Sequence, residues 1–254
     1  MIGTALSALP HGTQHHSRLI VELIAHGAAT SRSEIAKRLG LAPSTVSLRV
    51  QELIDLGVLL EEGVGESRGG RRPRILRLRE NQGNVMVADV GGRHVRIGRL
   101  DLTGALLETR DLDLQVNVGP EMTLRAITNA MLEMTREQQD ESTSIRGVAM
   151  ALPGPVDLAS GSVDLPSRMP GWQGFRVTDW LENEFGVPAV VDNDANLMAL
   201  GEHHAQLGSD HDSITVKAGT AIGSGIIVNG AIHHGATGAA GDVTHTRIAA
   251  AGAI

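Results

Sequence analysis

The sequence predicts an α/β protein in two bodies, an N-terminal winged helix-turn-helix over residues 14–80 and a mixed α/β domain over residues 84–254. Three observations lead there. Between Ser31 and Leu78, two helix signatures separated by a tight turn precede two strand-like runs around a stretch rich in glycine and arginine. From Val85 the periodicity changes to short strands interleaved with helical segments, a mixed pattern that needs a layered α/β core. The charge changes sign at the same place. Residues 1–80 hold 11 Lys and Arg against 8 Asp and Glu, leaving 11 against 21 for the remainder, so only the front end suits a polyanion.

Residues 1–13 read as a loose leader. Ser31-Arg32-Ser33-Glu34 has capping-box form and opens a short helix whose apolar side carries Ile35, Ala36 and Leu39, ended by Gly40. Pro43 suits a first helical position and starts a second helix, in which Val46, Val50, Leu53 and Ile54 recur at helical spacing. At about 100° per residue the opposite side carries Ser44, Leu48 and Gln51, flanked by Thr45 and Ser47, a small face able to enter a major groove. Val58-Leu59-Leu60 and Ile75–Leu78 then read as strands of a hairpin whose tip carries Arg68, Arg71, Arg72 and Arg74. An arginine-rich hairpin in isolation is a solvated surface turn, but directly after a helix-turn-helix it reads as a wing for phosphates or a narrow minor groove.

Glu80-Asn81-Gln82-Gly83-Asn84 reads as the linker between the bodies. Beyond it come strands at Val85–Val90, Val95–Asp101 and Leu106–Leu112, a helix from Pro120 to about Gln138, and a strand at Gly147–Leu152. A helix near Val177–Phe185, a strand at Ala189–Asp192 and a helix through His204 follow. Aromatic residues are 2% of the chain, so aliphatic side chains must fill both cores. Cysteine is absent, which removes disulfides. With neither a long apolar run nor a charged-then-apolar leader, the expected compartment is the cytoplasm, with no membrane partner. The pairs His15-His16, His203-His204 and His233-His234 diverge on regular structure and make poor ligand sets.

Three turns sit at strand ends, where α/β folds place ligands. Asp89-Val90-Gly91-Gly92 ends a strand with a carboxylate beside two glycines, which is either a plain turn or an approach for a phosphate or sugar. Asp192-Asn193-Asp194-Ala195-Asn196 delivers two carboxylates and two amides to a helix start. Asp192 or Asn193 serves as N-cap, and the remaining groups suit polyol hydroxyls or a carboxylate taking a hydroxyl proton. Gly219-Thr220-Ala221-Ile222-Gly223 joins two strands by a turn that is either a simple hairpin or a row of backbone N–H groups for phosphates.

The order of these motifs, together with Leu152-Pro153-Gly154-Pro155-Val156 and Gly238-Ala239-Ala240-Gly241-Asp242-Val243-Thr244-His245, resembles the ROK family of bacterial sugar kinases and sugar-responsive repressors. The fused winged helix resembles its xylose-type repressor branch. The resemblance implies a ribonuclease-H-like, actin-like fold with a sugar cleft. It assigns sugar contacts to Gly92, Asn193, Asp194, Asp242, His245 and, in the loop Ser167–Trp172, Arg168. Asp194 falls at the catalytic-base position of the kinases, and Asp89, Gly91, Gly219, Thr220 and Gly223 fall in the phosphate motifs. Arg93 stands in place of the family's threonine, Ala221 of a glycine, and Asp242 of the usual glutamate; these departures weigh against ATP use more than against sugar binding. Family zinc sites pair the histidine matched by His245 with three cysteines, so no zinc is expected, and the chain is expected to be either a truncated product or a natural early stop. The functional expectation is a non-enzymatic DNA-binding regulator, a repressor of sugar-metabolism genes, whose partners are operator DNA, a sugar effector and further copies of itself in a homodimer or higher homo-oligomer. The alternatives are an ATP-dependent, glucokinase-like sugar kinase with a fused DNA-binding domain, and a DNA-binding protein whose second body only dimerises.

Overall fold

The computed structural model describes residues 11–25, 27–63, 74–79, 83–92, 94–137, 144–163, 169–207, 211–219 and 222–243. The chain divides into two compact units. The first runs through Met86 and adds Arg99–Glu108 and Met134–Gly147; the second comprises Val87–Gly98, Thr109–Glu133 and Val148–Ile254.

In the N-terminal part, α1 (His11–Ala25), α2 (Arg32–Leu39) and α3 (Pro43–Asp55) precede an antiparallel pair, β1 (Leu59–Glu62) and β2 (Ile75–Leu78). Residues 11–13 therefore lie in a helix and not in a leader. The helix buries Ile20, Val21 and Ile24 against Ile35, Val46, Val50, Leu53, Leu59 and Leu76, a core of aliphatic side chains alone. Ser31 caps α2, its hydroxyl accepting from the Glu34 backbone N–H, and Gly40 at φ 64 closes it in the left-handed region. The Glu34 carboxylate reaches back to the backbone N–H of Thr30, one residue further than the reciprocal bond of a standard capping box. Pro43 occupies the first turn of α3 as expected. β1 begins at Leu59 and continues through Glu61 and Glu62, two residues beyond the expected run, because the strand's outer face is polar. Gly83 and Asn84 are buried, and the Asn84 N–H donates to the Ser144 carbonyl, so this end of the expected linker is part of the packed structure.

The α/β region holds a five-stranded sheet in the order β5 (Leu106–Leu112), β4 (Val95–Asp101), β3 (Asn84–Val90), β6 (Ile145–Leu152), β9 (Ala189–Asn193). α4 (Pro120–Arg136) precedes β6, and two short strands, β7 (Val156–Asp157) and β8 (Ser162–Val163), form a hairpin after it. α5 (Val177–Phe185) leads into β9, which pairs parallel with β6 and sets Leu152 opposite Asn193. α6 (Asp194–Glu202) starts directly from β9. It packs on an antiparallel sheet of β10 (Ser213–Ala218), β11 (Ile222–Val228) and β12 (Ala231–Ile232). A Cβ at Gly225 would collide with the Ala195 carbonyl oxygen and the Ala199 side chain, so only glycine allows β11 this close to α6. Among the described residues, no helix is long and apolar enough to cross a membrane.

Candidate functional site

Two sites arise from the elements above. On α3, the residues in phase with Val46, Val50 and Leu53 are buried, while Ser44, Ser47, Leu48 and Gln51 are exposed and Thr45 is half-buried. Leu48 is 54% exposed, a bare apolar side chain among hydroxyls. Gln51 spends one amide donor on Asp55, 2.9 Å away, which leaves its carbonyl and second N–H outward. Arg32, which sequence reasoning did not single out, donates to the Ser47 carbonyl at 3.0 Å and pairs with Glu61 at 3.1 Å, tying α2 to α3 and β1. Glu61 also takes a longer contact from Arg74. Arg68, Arg71 and Arg72 lie outside the described residues.

The second site is a cleft of about 370 Å³ within the second unit. All three strand-end motifs meet there. Asp89, Gly91 and Gly92 line it from the end of β3, Asn193 and Asp194 from the start of α6, Gly219 and Gly223 from the β10–β11 turn, and Asp242 from the loop after β12. A Cβ at Gly92 would meet nothing within 4 Å, so the protein's own packing does not require glycine there and the open space belongs to the cleft. Arg93, Arg168, Thr220, Ala221 and His245 lie outside the described residues.

Helix α6 explains the division of labour in Asp192-Asn193-Asp194. Asn193 is the N-cap: its Oδ1 accepts from the backbone N–H groups of Ala195 and Asn196, and its Nδ2 donates to the Gly154 carbonyl at 2.9 Å. One N–H of its amide remains for a ligand. Asp192 is 4% exposed, its Oδ1 accepting from the Asn193 N–H and Asn196 Nδ2 and its Oδ2 lying 2.7 Å from His234 Nε2. Asp194, the first residue of the helix, pairs with the Lys217 ammonium at 2.7 Å. Sequence reasoning missed this lysine. Its signal was alternation: Ser213, Thr215 and Lys217 share the half-buried side of β10, while Ile214 and Val216 are exposed.

Cysteine is absent from residues 1–254, so the thiolates of the family's zinc site are not among these residues. Among the described residues, no group of three or more His, Asp or Glu side chains stands ready to hold a metal.

A winged helix-turn-helix followed by an α/β domain whose strand-end cleft presents carboxylates and an amide defines a class of protein that combines a DNA reader with a small-molecule pocket. The ROK family profile matches residues 85–254 and a winged helix-turn-helix DNA-binding profile matches residues 14–59; the chain belongs to the ROK family. It is 30% identical over 236 residues to a protein named xylose repressor from Caldicellulosiruptor bescii, across 92% of this chain and 59% of that one. A glucokinase from Halalkalibacterium halodurans is 29% identical over only 161 residues, 63% of this chain and 48% of the kinase. The crystal structure of a ROK family transcriptional regulator, a homolog of the E. coli MLC protein, superposes with a TM-score of 0.79. It is 23% identical and covers 96% of this chain and 61% of that one, a likeness of fold. The chain thus spans about three fifths of the length of the repressor it matches.

Proposed function

We propose that this chain is a DNA-binding transcriptional regulator, a repressor of sugar-metabolism genes, whose operator affinity is set by a sugar or sugar derivative held in the cleft of its ROK domain. The observation that carries the reading is the bared face of α3, Ser44, Ser47 and Leu48, on a chain similar to a xylose repressor across both bodies, whereas the glucokinase match covers a smaller share. In this reading Asp194, Asn193, Gly92 and Asp242 contact the sugar from the described part of the cleft, and Arg168 and His245 complete it. Asp89, Gly91, Gly219, Thr220 and Gly223 belong to the family's phosphate motifs without serving catalysis. The working form is a homodimer, because two-fold proteins read two-fold DNA.

Two assays test this together. DNA selected by the chain from a random pool is titrated with and without D-xylose, D-glucose, N-acetyl-D-glucosamine and D-glucose 6-phosphate, and the same panel is run in a coupled assay for ADP release. A sugar-dependent shift in DNA affinity without ADP release is the expected result. Turnover with ATP makes the chain a kinase, and DNA affinity indifferent to every sugar leaves the second body without the proposed role.

A further inference from the structure

We infer that Lys217 is a specificity-determining residue of the cleft, forming with Asp194 a donor–acceptor pair that selects a neutral polyol through two neighbouring hydroxyls. The inference rests on reading the cleft as the effector site.

The geometry begins with β10. Its inward side carries Ser213, Thr215 and Lys217, and the residue opposite Lys217 on β11 is Gly223, which has no side chain to compete for the space. The lysine reaches α6, where its Nζ donates to Asp194 Oδ2 at 2.7 Å, and both residues line the cleft. Their side chains are 33% and 16% exposed, so the pair is partly shielded from water yet open to a ligand. An ammonium has three N–H donors and a carboxylate two accepting oxygens, so one bond between them leaves donors on Lys217 and an acceptor on Asp194. Adjacent sugar hydroxyls stand about one hydrogen-bond length apart, and each both donates and accepts. One can donate to Asp194 while its neighbour accepts from Lys217.

The charge of the described part of the lining favours a neutral ligand over an anionic one. Among the described residues, the cleft carries the carboxylates of Asp89, Asp194 and Asp242 against the single ammonium of Lys217, with His94 the one imidazole. That ammonium already faces a carboxylate. A phosphate or uronate would meet an excess of like charge on these side chains, whereas a neutral diol meets a matched pair.

Calorimetric titration of the full chain with the four sugars above, and with mono-deoxy analogues of whichever binds, tests this. Lys217→Met should weaken the neutral sugar about ten- to a hundredfold, the range for a hydrogen bond to a charged group. One mono-deoxy analogue, already weak on the wild type, should be nearly unaffected by the substitution, a selectivity that mere structural damage does not produce. Should Lys217→Met fail to fold by circular dichroism, Lys217→Gln, which keeps an N–H donor without the charge, should retain that discrimination in part. Unchanged sugar binding in either folded variant overturns the inference while leaving the effector reading intact. Glucose 6-phosphate binding more tightly than every neutral sugar, and losing that advantage in Lys217→Met, also overturns it, by making Lys217 an anion site. A wild-type chain that binds no sugar of the panel overturns the effector reading and this inference with it.

Discussion

Glu34 lies near the start of α2, and its carboxylate accepts from the Thr30 backbone N–H at 2.8 Å and lies 3.3 Å from the Thr30 hydroxyl. The Thr30 N–H is the largest influence holding Glu34 below the ordinary glutamate value; partial burial opposes it, and hydrogen bonds from Ser31 assist. A depressed folded-state pKa contributes stability that is present above the unfolded value and is lost as pH falls through the folded one. Thermal melts of Glu34→Gln and the parent should therefore differ at neutral pH and converge in acid; a gap that stays constant with pH assigns the bond no such role. Ser31→Ala removes the N-cap itself and should cost about 1 kcal/mol. At Gly225 a methyl group has nowhere to go except into the Ala195 carbonyl, so Gly225→Ala should lower stability by about 1–3 kcal/mol in urea unfolding. The capping serine and the Asn193-Asp194 pair were legible in the sequence because the helix starts they mark are set by residues within four positions. Lys217 was not, because its partner lies 23 positions away and the ion pair depends on how far β10 stands from α6.

At the scale of elements, α3 carries the strongest sequence signal, and its buried and exposed faces follow the expected phase. Leu53 is fully buried, and Leu53→Ala should cost about 2–5 kcal/mol. Replacing Arg71 and Arg72 together by Ala tests the wing: DNA affinity should fall, and the salt slope should drop by about one unit for each phosphate no longer neutralised. An unchanged slope would remove the wing from the interface. Arg32 joins α2, α3 and β1 through the Ser47 carbonyl and Glu61, so Arg32→Ala should weaken DNA binding by loosening the helix pair even though the residue is off the reading face. α1 escaped sequence reading because it has no acidic residue in its first turn and no basic one in its last, and its first half is rich in histidine and small polar residues. Its Ile20-Val21-Ile24 cluster carried the helical spacing, without a cap to anchor it. The strands from β3 to β5 were legible nearly to the residue, since alternation and the turns between them agree.

For the whole molecule the claim is thermodynamic. If a sugar in the cleft alters operator affinity by some factor, operator DNA must alter sugar affinity by the same factor, whatever the route between the sites. The most direct test measures one sugar's Kd on the free chain and on the chain saturated with its selected DNA, alongside the DNA Kd with and without saturating sugar. Sugar-controlled operator binding requires two ratios that agree and differ from one, with DNA recovered as an inverted repeat. Equal sugar affinity for free and DNA-bound protein, despite tight binding of both ligands, would contradict it.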